Sequence, residues 1–371
     1  MFSKPFNLVL VYIVTVFNIV VLVSPFMMAI IPLLNFGKHP LIVNHNILEK
    51  IKLAWFFLFF LVSFLMLFYL FLDSLFGFSV RSSLKNCKRF EKIKDYDFLS
   101  DIFEQVKGKF NERNVHLYIK NSDEINAYAV SSFNKRAIVL THGLIKHYLV
   151  ECSDPKKFLN AIRSIMGHEM SHLINKDFLP AFLIITNQKV TNLVSVILKN
   201  IFRIIARIMV AIPGFRNYGF WMNDIYTFCH FILNCFNRFI VYNIYEFLRR
   251  FVSRAVEFRC DRQSAYAFGG NNMAMALSML GKSGYFTLFS THPGTEKRIK
   301  KLQNIKATEA TISPRFVDSI ANYFSIMFLM IVCLYFTKQA GVDLMVRAYI
   351  QDHQIIYRKL SILWNLLKKI L

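Results

Sequence analysis

Five consecutive residues, His168-Glu169-Met170-Ser171-His172, have the types and the spacing for metal-assisted hydrolysis. The run Phe158 to Gly167 ahead of them is compatible with a helix. On that helix the two histidines, four apart, share one face and can bind one metal through neutral imidazole nitrogens, with Glu169 beside the site as general base. Zinc in such a site brings the pKa of water down to about 7 and polarises a scissile carbonyl; a glutamate then takes the water's proton and delivers it to the leaving amine. Two merely packed or solvated histidines would give the same five letters, so the site needs more. A catalytic zinc takes a third protein ligand and keeps one position open, and a downstream glutamate is the usual third ligand for this motif.

The best candidate is Glu257, in Ser253-Arg254-Ala255-Val256-Glu257-Phe258-Arg259-Cys260-Asp261. Asp261 lies one helical turn on, on the same face, where it can accept a hydrogen bond from a ligand histidine. The charges alone would also permit a surface salt-bridge patch of Arg254, Glu257, Arg259 and Asp261. Cys260 reads as a small buried residue rather than a soft ligand. A further cluster, Ser290-Thr291-His292-Pro293-Gly294-Thr295-Glu296-Lys297-Arg298-Ile299, offers His292 and Arg298 as donors for a developing oxyanion, or simply a turn leading into a basic helix.

The elements that must hold these residues are largely apolar. Of 371 residues 55% are hydrophobic and 39 are Phe, more than a single soluble core of this size needs. The net charge of +22 could suggest nucleic acid, but the basic residues flank apolar runs and no nucleic-acid module accompanies them. No nucleic-acid partner is expected; the lipid bilayer is. The six cysteines (Cys87, Cys152, Cys229, Cys235, Cys260, Cys333) form no CxxC pair or dense disulfide pattern, in keeping with a reducing compartment.

Residues 5–37 and 53–72 carry no charge and are each long enough to cross a membrane, the first being too long for a signal-peptide core. Lysines and arginines crowd the segment after the second stretch (Arg81, Lys85, Lys88, Arg89, Lys92, Lys94), which by the positive-inside rule places the following domain in the cytoplasm. From about Asp95 to Asp177 charges return and short alternating or β-branched runs (Val115 to Ile119, Ile138 to Leu140) sit among helical patterns, as in an α+β unit. Phe178 to Phe251 reads as a helical hairpin broken near Pro213 and Gly214, spanning or interfacial, with Lys199, Arg203 and Arg207 on one helix face. A last charge-free run covers Ser319 to Thr337. The tail after it mixes basic and apolar residues, as an interfacial helix or one packed on the soluble domain would. The expected organisation is therefore 1–80, two transmembrane helices; 81–177, first half of a catalytic domain; 178–251, hairpin; 252–315, second half; 316–345, a C-terminal span; and 346–371, the basic tail.

Together, Gly167–Asp177 (GHEMSHLINKD), Glu257–Asp261 (EFRCD) and Thr291–Ile299 (THPGTEKRI), in this order around a hydrophobic hairpin, resemble the HtpX-like membrane zinc metallopeptidases, relatives of the CAAX prenyl endopeptidases. The resemblance runs from roughly residue 95 to 305. It implies an α-helical integral membrane protein with a cytoplasmic α+β catalytic domain of the zincin (gluzincin) type, mainly helical with a small sheet. It implies one zinc per chain on His168, His172 and Glu257, Glu169 as base, Asp261 behind the ligands, and His292 and Arg298 assisting the oxyanion. Asn126-Ala127-Tyr128-Ala129 is similar to the family's strand beside the cleft, where substrate adds as a β-strand. Asn175 and Asp177 fit the motif with only a structural role at the helix end. The implied activity is ATP-independent cleavage of misfolded or surplus membrane proteins at a bacterial inner membrane, and the chain has no GxxxxGK[ST] motif. A CAAX-type or peptide-processing protease of narrow range is the competing reading, and a non-catalytic scaffold a third. The chain departs from the pattern in Cys260, where the family usually has Ala, and in its fifth apolar span and basic tail.

Overall fold

The computed structural model describes residues 45–93, 96–132, 135–214, 242–280 and 294–342, scattered positions between 216 and 235, and residue 351. In chain order these form α1 (His45–Phe76), α2 (Phe78–Ser83), β1 (Cys87–Arg89), a 3-10 turn (Phe90–Lys92), α3 (Leu99–Lys109), β2 (His116–Lys120), β3 (Ala127–Ser131) and β4 (Arg136–Thr141). They continue with α4 (His142–Glu151), α5 (Pro155–Ile174), α6 (Phe178–Ala211), α7 (Tyr242–Phe268), α8 (Gly270–Met279), α9 (Thr295–Lys300) and α10 (Phe316–Gln339). The protein is mostly helical with a small mixed sheet. The charge-free stretch 5–37, residues 281–293 with Ser290 to Pro293 of the third cluster, and nearly all of the basic tail lie outside the described residues. The described residues divide into two compact units, one holding 68–189, 235 and 242–325, the other 45–67, described positions within 190–233, 326–342 and 351.

In the first unit the sheet runs β1-β2-β4-β3, with β2 and β4 parallel and the outer pairs antiparallel. Strand β2 falls on the alternating run of the sequence and β4 on the β-branched one; β4, between two neighbours, is buried from Ala137 onward. Leu117, Ile119, Ile138 and Leu140 pack in one core with Leu99, Ile102 and Val106 of α3 and with Ala161, Ile162, Ile165 and Met166 of α5. Helix α5 forms for local reasons. Asp154 caps it by accepting from the Lys156 N–H at 2.9 Å, Pro155 occupies its first turn, and apolar residues recur three and four apart along the face turned to the sheet.

That face is continued by the long helix α7, which crosses α5 closely at Gly167. A Cβ on Gly167 would sit 2.7 Å from the Phe268 ring and 3.0 Å from Ser264 Oγ. The absence of a side chain there lets Ser264 Oγ donate to the Ser164 carbonyl at 2.6 Å, which fixes α7 against the metal-motif helix.

The second unit contains the apolar length of α1, the later part of α6 and most of α10. Phe59 stacks on Phe336 with ring centroids 4.8 Å apart, yet Phe57, Phe64, Ile201, Ile204, Met330 and Leu334 stay exposed. Apolar surface on this scale suits contact with lipid. Among the described residues two helices, over Phe59–Phe76 and Phe316–Gln339, are long and apolar enough to cross a membrane. Helix α6, 34 residues long, ends at Ala211, and the chain turns through Gly214 at φ 89°, where glycine carries no steric penalty.

Candidate metal centre

Three side chains from two helices converge. His168 and His172 project from α5 and Glu257 from α7, with ligand atoms within 4.8 Å of one another. His168 Nε2 lies 3.3 Å from His172 Nε2 and 3.4 Å from Glu257 Oε2, and His172 Nε2 lies 3.6 Å from Glu257 Oε1. Ligands about 2.0–2.1 Å from a tetrahedral zinc stand about 3.3–3.4 Å from each other. The three measured edges therefore fit one ion of that size, and two imidazoles with a carboxylate are the donor chemistry it prefers.

Each histidine is backed by its own carboxylate. Asp261 Oδ1 faces His168 Nδ1 at 2.9 Å, and Asp177 Oδ2 faces His172 Nδ1 at 2.9 Å. At His172 an Nδ1–H donated to Asp177 leaves the Nε2 lone pair turned toward the other ligands, while at His168 the Asp261 carboxylate lies close enough to attract the ring electrostatically. Arg298 of α9 donates Nε to Asp261 Oδ2 at 2.7 Å and Nη2 to Oδ1 at 2.6 Å, and its Nη2 is 3.3 Å from Glu257 Oε2. It is buried. Arg298 thus stands behind the ligand carboxylates, with both of these donors engaged by Asp261.

The electrostatics follow from this crowding. Burial alone would strip the proton from His168, but Asp261 and Glu257 outweigh it and hold the imidazole up to about 10. Burial works against His172 in the same way, and Cys260, Asp177 and Glu257 overcome it, raising it well above the ordinary value. Burial would raise the Asp261 carboxyl; Arg298 and His168 bring it below the usual carboxylate value instead. Without a cation between them, the carboxylates keep protons on the histidines. The pocket is built for positive charge.

Glu169, itself buried, follows His168 on α5 and opens onto the same cleft of about 350 Å³, which His168, His172, Glu257 and strand β3 also line. Strand β3 is the last in the sheet order and borders the cleft with Asn126, Ala127, Tyr128 and Ala129. The Thr141 N–H donates to the Asn126 carbonyl and the Ser132 N–H to that of Lys135, so in this register Ala127, Ala129 and Ser131 direct their backbone groups away from β4. The Tyr128 hydroxyl, pushed up to about 12 by burial and by its contact with Cys87, stays protonated at neutral pH.

The structure thus brings His168, Glu169, His172, Glu257, Asp261, Arg298 and the 126–129 strand together; His292 lies outside the described residues. Cys260 is fully buried, with Sγ 3.4 Å from His172 Nδ1. Sequence reasoning left Asp177 a helix-end residue, whereas its carboxylate meets a candidate ligand. Arg259, which the charges alone would put in a surface salt-bridge patch, is buried. That side chain donates to both Asp177 and, at 2.7 Å, Asp318.

Comparison with known proteins supplies the family. Residues 98–306 match peptidase family M48. Protease HtpX of Buchnera aphidicola subsp. Schizaphis graminum is 25% identical over 229 residues, covering 56% of this chain and 73% of that protein. Protease HtpX of Buchnera aphidicola subsp. Baizongia pistaciae is 24% identical over 234 residues, covering 56% and 72%. The crystal structure of S. mikatae Ste24p, at 14% identity, covers 69% of this chain, and this chain covers 65% of it, with a TM-score of 0.37, too low to carry an argument. With its family match spanning more than half its length and two helices apolar enough for a membrane, the chain belongs to peptidase family M48 as an HtpX-like metallopeptidase.

Proposed function

We propose that this protein is a zinc-dependent endopeptidase that hydrolyses peptide bonds of misfolded or surplus membrane proteins, with one Zn²⁺ held by His168, His172 and Glu257. The observation that carries the reading is the triangle of donor atoms with 3.3, 3.4 and 3.6 Å edges, opening onto a cleft that also contains Glu169. When bound, the ion would polarise the scissile carbonyl and make water nucleophilic near neutral pH. The carboxylate of Glu169 takes a proton from the attacking water and returns it to the amide nitrogen as the C–N bond breaks. Asp261 and Asp177 hold the two imidazoles with Nε2 toward the centre, and Arg298 holds Asp261 and Glu257 in place. His292, from the segment ahead of α9, supplies a donor to the carbonyl oxygen.

Substrate enters as an extended strand along β3, bonding to the outward backbone groups of Ala127, Ala129 and Ser131. A strand-shaped cleft favours unfolded segments, because a folded substrate rarely offers a free backbone edge. The domain divisions drawn from the sequence, with a hairpin over 178–251 read as transmembrane and a span over 316–345, support an active site close to the bilayer. The basic flank from Arg81 to Lys94 supports a cytoplasmic active site, at a bacterial inner membrane.

The test is Glu169→Gln in the full-length protein. The variant should keep zinc and lose cleavage of an unfolded membrane substrate by at least about a hundredfold, the lower range for a general base. Cleavage at the wild-type rate would remove Glu169 from the mechanism.

A further inference from the structure

The residues matching the M48 family end at 306, yet the first turns of α10, beyond that limit, close on the turn that ends the metal-motif helix. Three consecutive residues of that turn are gripped. The Arg315 N–H donates to Asn175 Oδ1 at 2.9 Å, and Asn322 Nδ2 donates to the Asn175 carbonyl at 3.2 Å. Lys176 Nζ sits 5.4 Å from the centre of the Tyr323 ring. Asp318 Oδ2 accepts from Arg259 Nη1 at 2.7 Å, while Nη2 of the same guanidinium donates to Asp177 Oδ2. That Asp177 oxygen is the one facing His172 Nδ1 at 2.9 Å.

The grip is needed. Lys176 takes φ 53°, a left-handed conformation that a non-glycine residue adopts at a cost, and this turn is what folds Asp177 back onto His172. Arg259, Asp318, Asn175 and Asn322 are all buried, so the relay is shielded from water and its charges are felt at short range. Arg259 is shared between two carboxylates. Without Asp318 its charge would draw wholly on Asp177 and pull that oxygen from the imidazole.

We propose that α10 is part of the metal centre: Asp318 and Arg259 are positioning residues that act through Asp177 to fix the orientation and tautomer of His172. The proposal rests on the assignment of His172 as a metal ligand. It gives the C-terminal extension a role in the site rather than in anchorage alone.

The experiment uses full-length protein in detergent, stripped of metal, with Zn²⁺ affinity measured by competition with a chromophoric chelator and ligand geometry read from the visible spectrum of the Co²⁺ form. Asp318→Asn should weaken Zn²⁺ binding about tenfold and alter the Co²⁺ bands, as loss of a partner behind a ligand does. Arg259→Gln should do the same, the double variant should be no worse than the worse single one, and Asp318→Glu should recover part of the loss. A folded Asp318→Asn protein with wild-type affinity and spectrum overturns the proposal. Should Asp318→Asn not fold, Arg259→Lys replaces it; it keeps the charge but loses the fork that reaches both carboxylates and should cost a few-fold in affinity, and unchanged affinity is again decisive against the relay. His172→Ala separates the two ideas. If it keeps zinc, the metal-centre reading itself fails; if it loses zinc while Asp318→Asn does not, only the relay fails.

Discussion

Replacing Arg298 by methionine would remove the cation that two buried carboxylates share while keeping most of the side-chain volume. The guanidinium meets both oxygens of Asp261, at 2.7 and 2.6 Å, and lies 3.3 Å from Glu257. Side-chain exposures are 10% for Arg298, 2% for Asp261 and 5% for Glu257, so little solvent is at hand to take over. Breaking such a pair from one side costs about 3–5 kcal/mol. Because His168, held up to about 10, still offers Asp261 a positive partner, the lower end applies, about 3 kcal/mol. That is a large share of the roughly 5–15 kcal/mol that holds a folded domain together. Thermal unfolding with and without a chelator should show the loss undiminished in metal-free protein and partly offset by zinc, which stabilises the folded state by mass action. Removing both partners in Arg298→Met/Asp261→Asn should restore part of the stability, since of the two carboxylates only Glu257 is then left without the guanidinium, and it still faces His168. The sign with pH follows from Asp261. Its carboxyl is held below the ordinary 3.8, so the stabilisation is present above that value and fades as the pH falls below it, narrowing the gap between wild type and variant. An Arg298→Met protein with wild-type stability and zinc content but a kcat lowered a hundredfold would refute this reasoning. The guanidinium would then act on the reacting carbonyl, as the sequence motif suggested.

Zinc uptake should release protons: with His168 held up to about 10 and His172 also raised, both imidazoles are protonated at pH 7 in the metal-free site and must give up Nε2 protons to bind. Calorimetry in buffers of different ionisation enthalpy should report roughly one to two protons per zinc, with affinity rising from pH 6 to 8; no release would contradict the assignment of these nitrogens. On the substrate side, Ala129→Pro deletes an N–H that points away from β4 and so spares the sheet. It should cost an extended peptide about 1 kcal/mol, about fivefold in KM, with zinc content unchanged, and an unaltered KM would argue against strand addition at β3.

The sequence reading of the site reached as far as helix arithmetic reaches. His168, His172, Glu257 and Asp261 come in pairs four apart, and two helices crossing at a glycine bring all four together. Patterning marked β2 and β4 for the same kind of reason, β2 by alternation that buries every second residue and β4 by an apolar run buried on both faces. Strand β1, three residues rich in charge with only Cys87 half-buried, has no such signature; it exists by pairing with β2. The edge strand β3 reads from sequence alone as a strand-and-turn element with no function, and only the family resemblance gives it a role beside the cleft. All but one of its residues are half-buried, so polar alternation was never imposed on it.

Asp177 shows where the arithmetic stops. Five residues after His172, it falls off the histidine face of any continued helix, and the sequence therefore suggests a helix-end residue and nothing more. The helix does not continue. Asn175 caps it, Lys176 goes left-handed, and the Asp177 N–H turns back to the His172 carbonyl, so the carboxylate arrives at Nδ1 by a route that periodicity cannot describe. What stabilises that turn lies some 140 residues away along the chain, at Arg315, Asp318 and Asn322. Local pattern locates groups that one element presents by itself. A ligand's orientation, set by a strained turn under a distant helix, is a property of the packing, and here the packing comes from beyond the family's matched residues. It follows that relatives sharing only the His-Glu-x-x-His and Glu-x-x-x-Asp motifs need not hold their second histidine as this chain does.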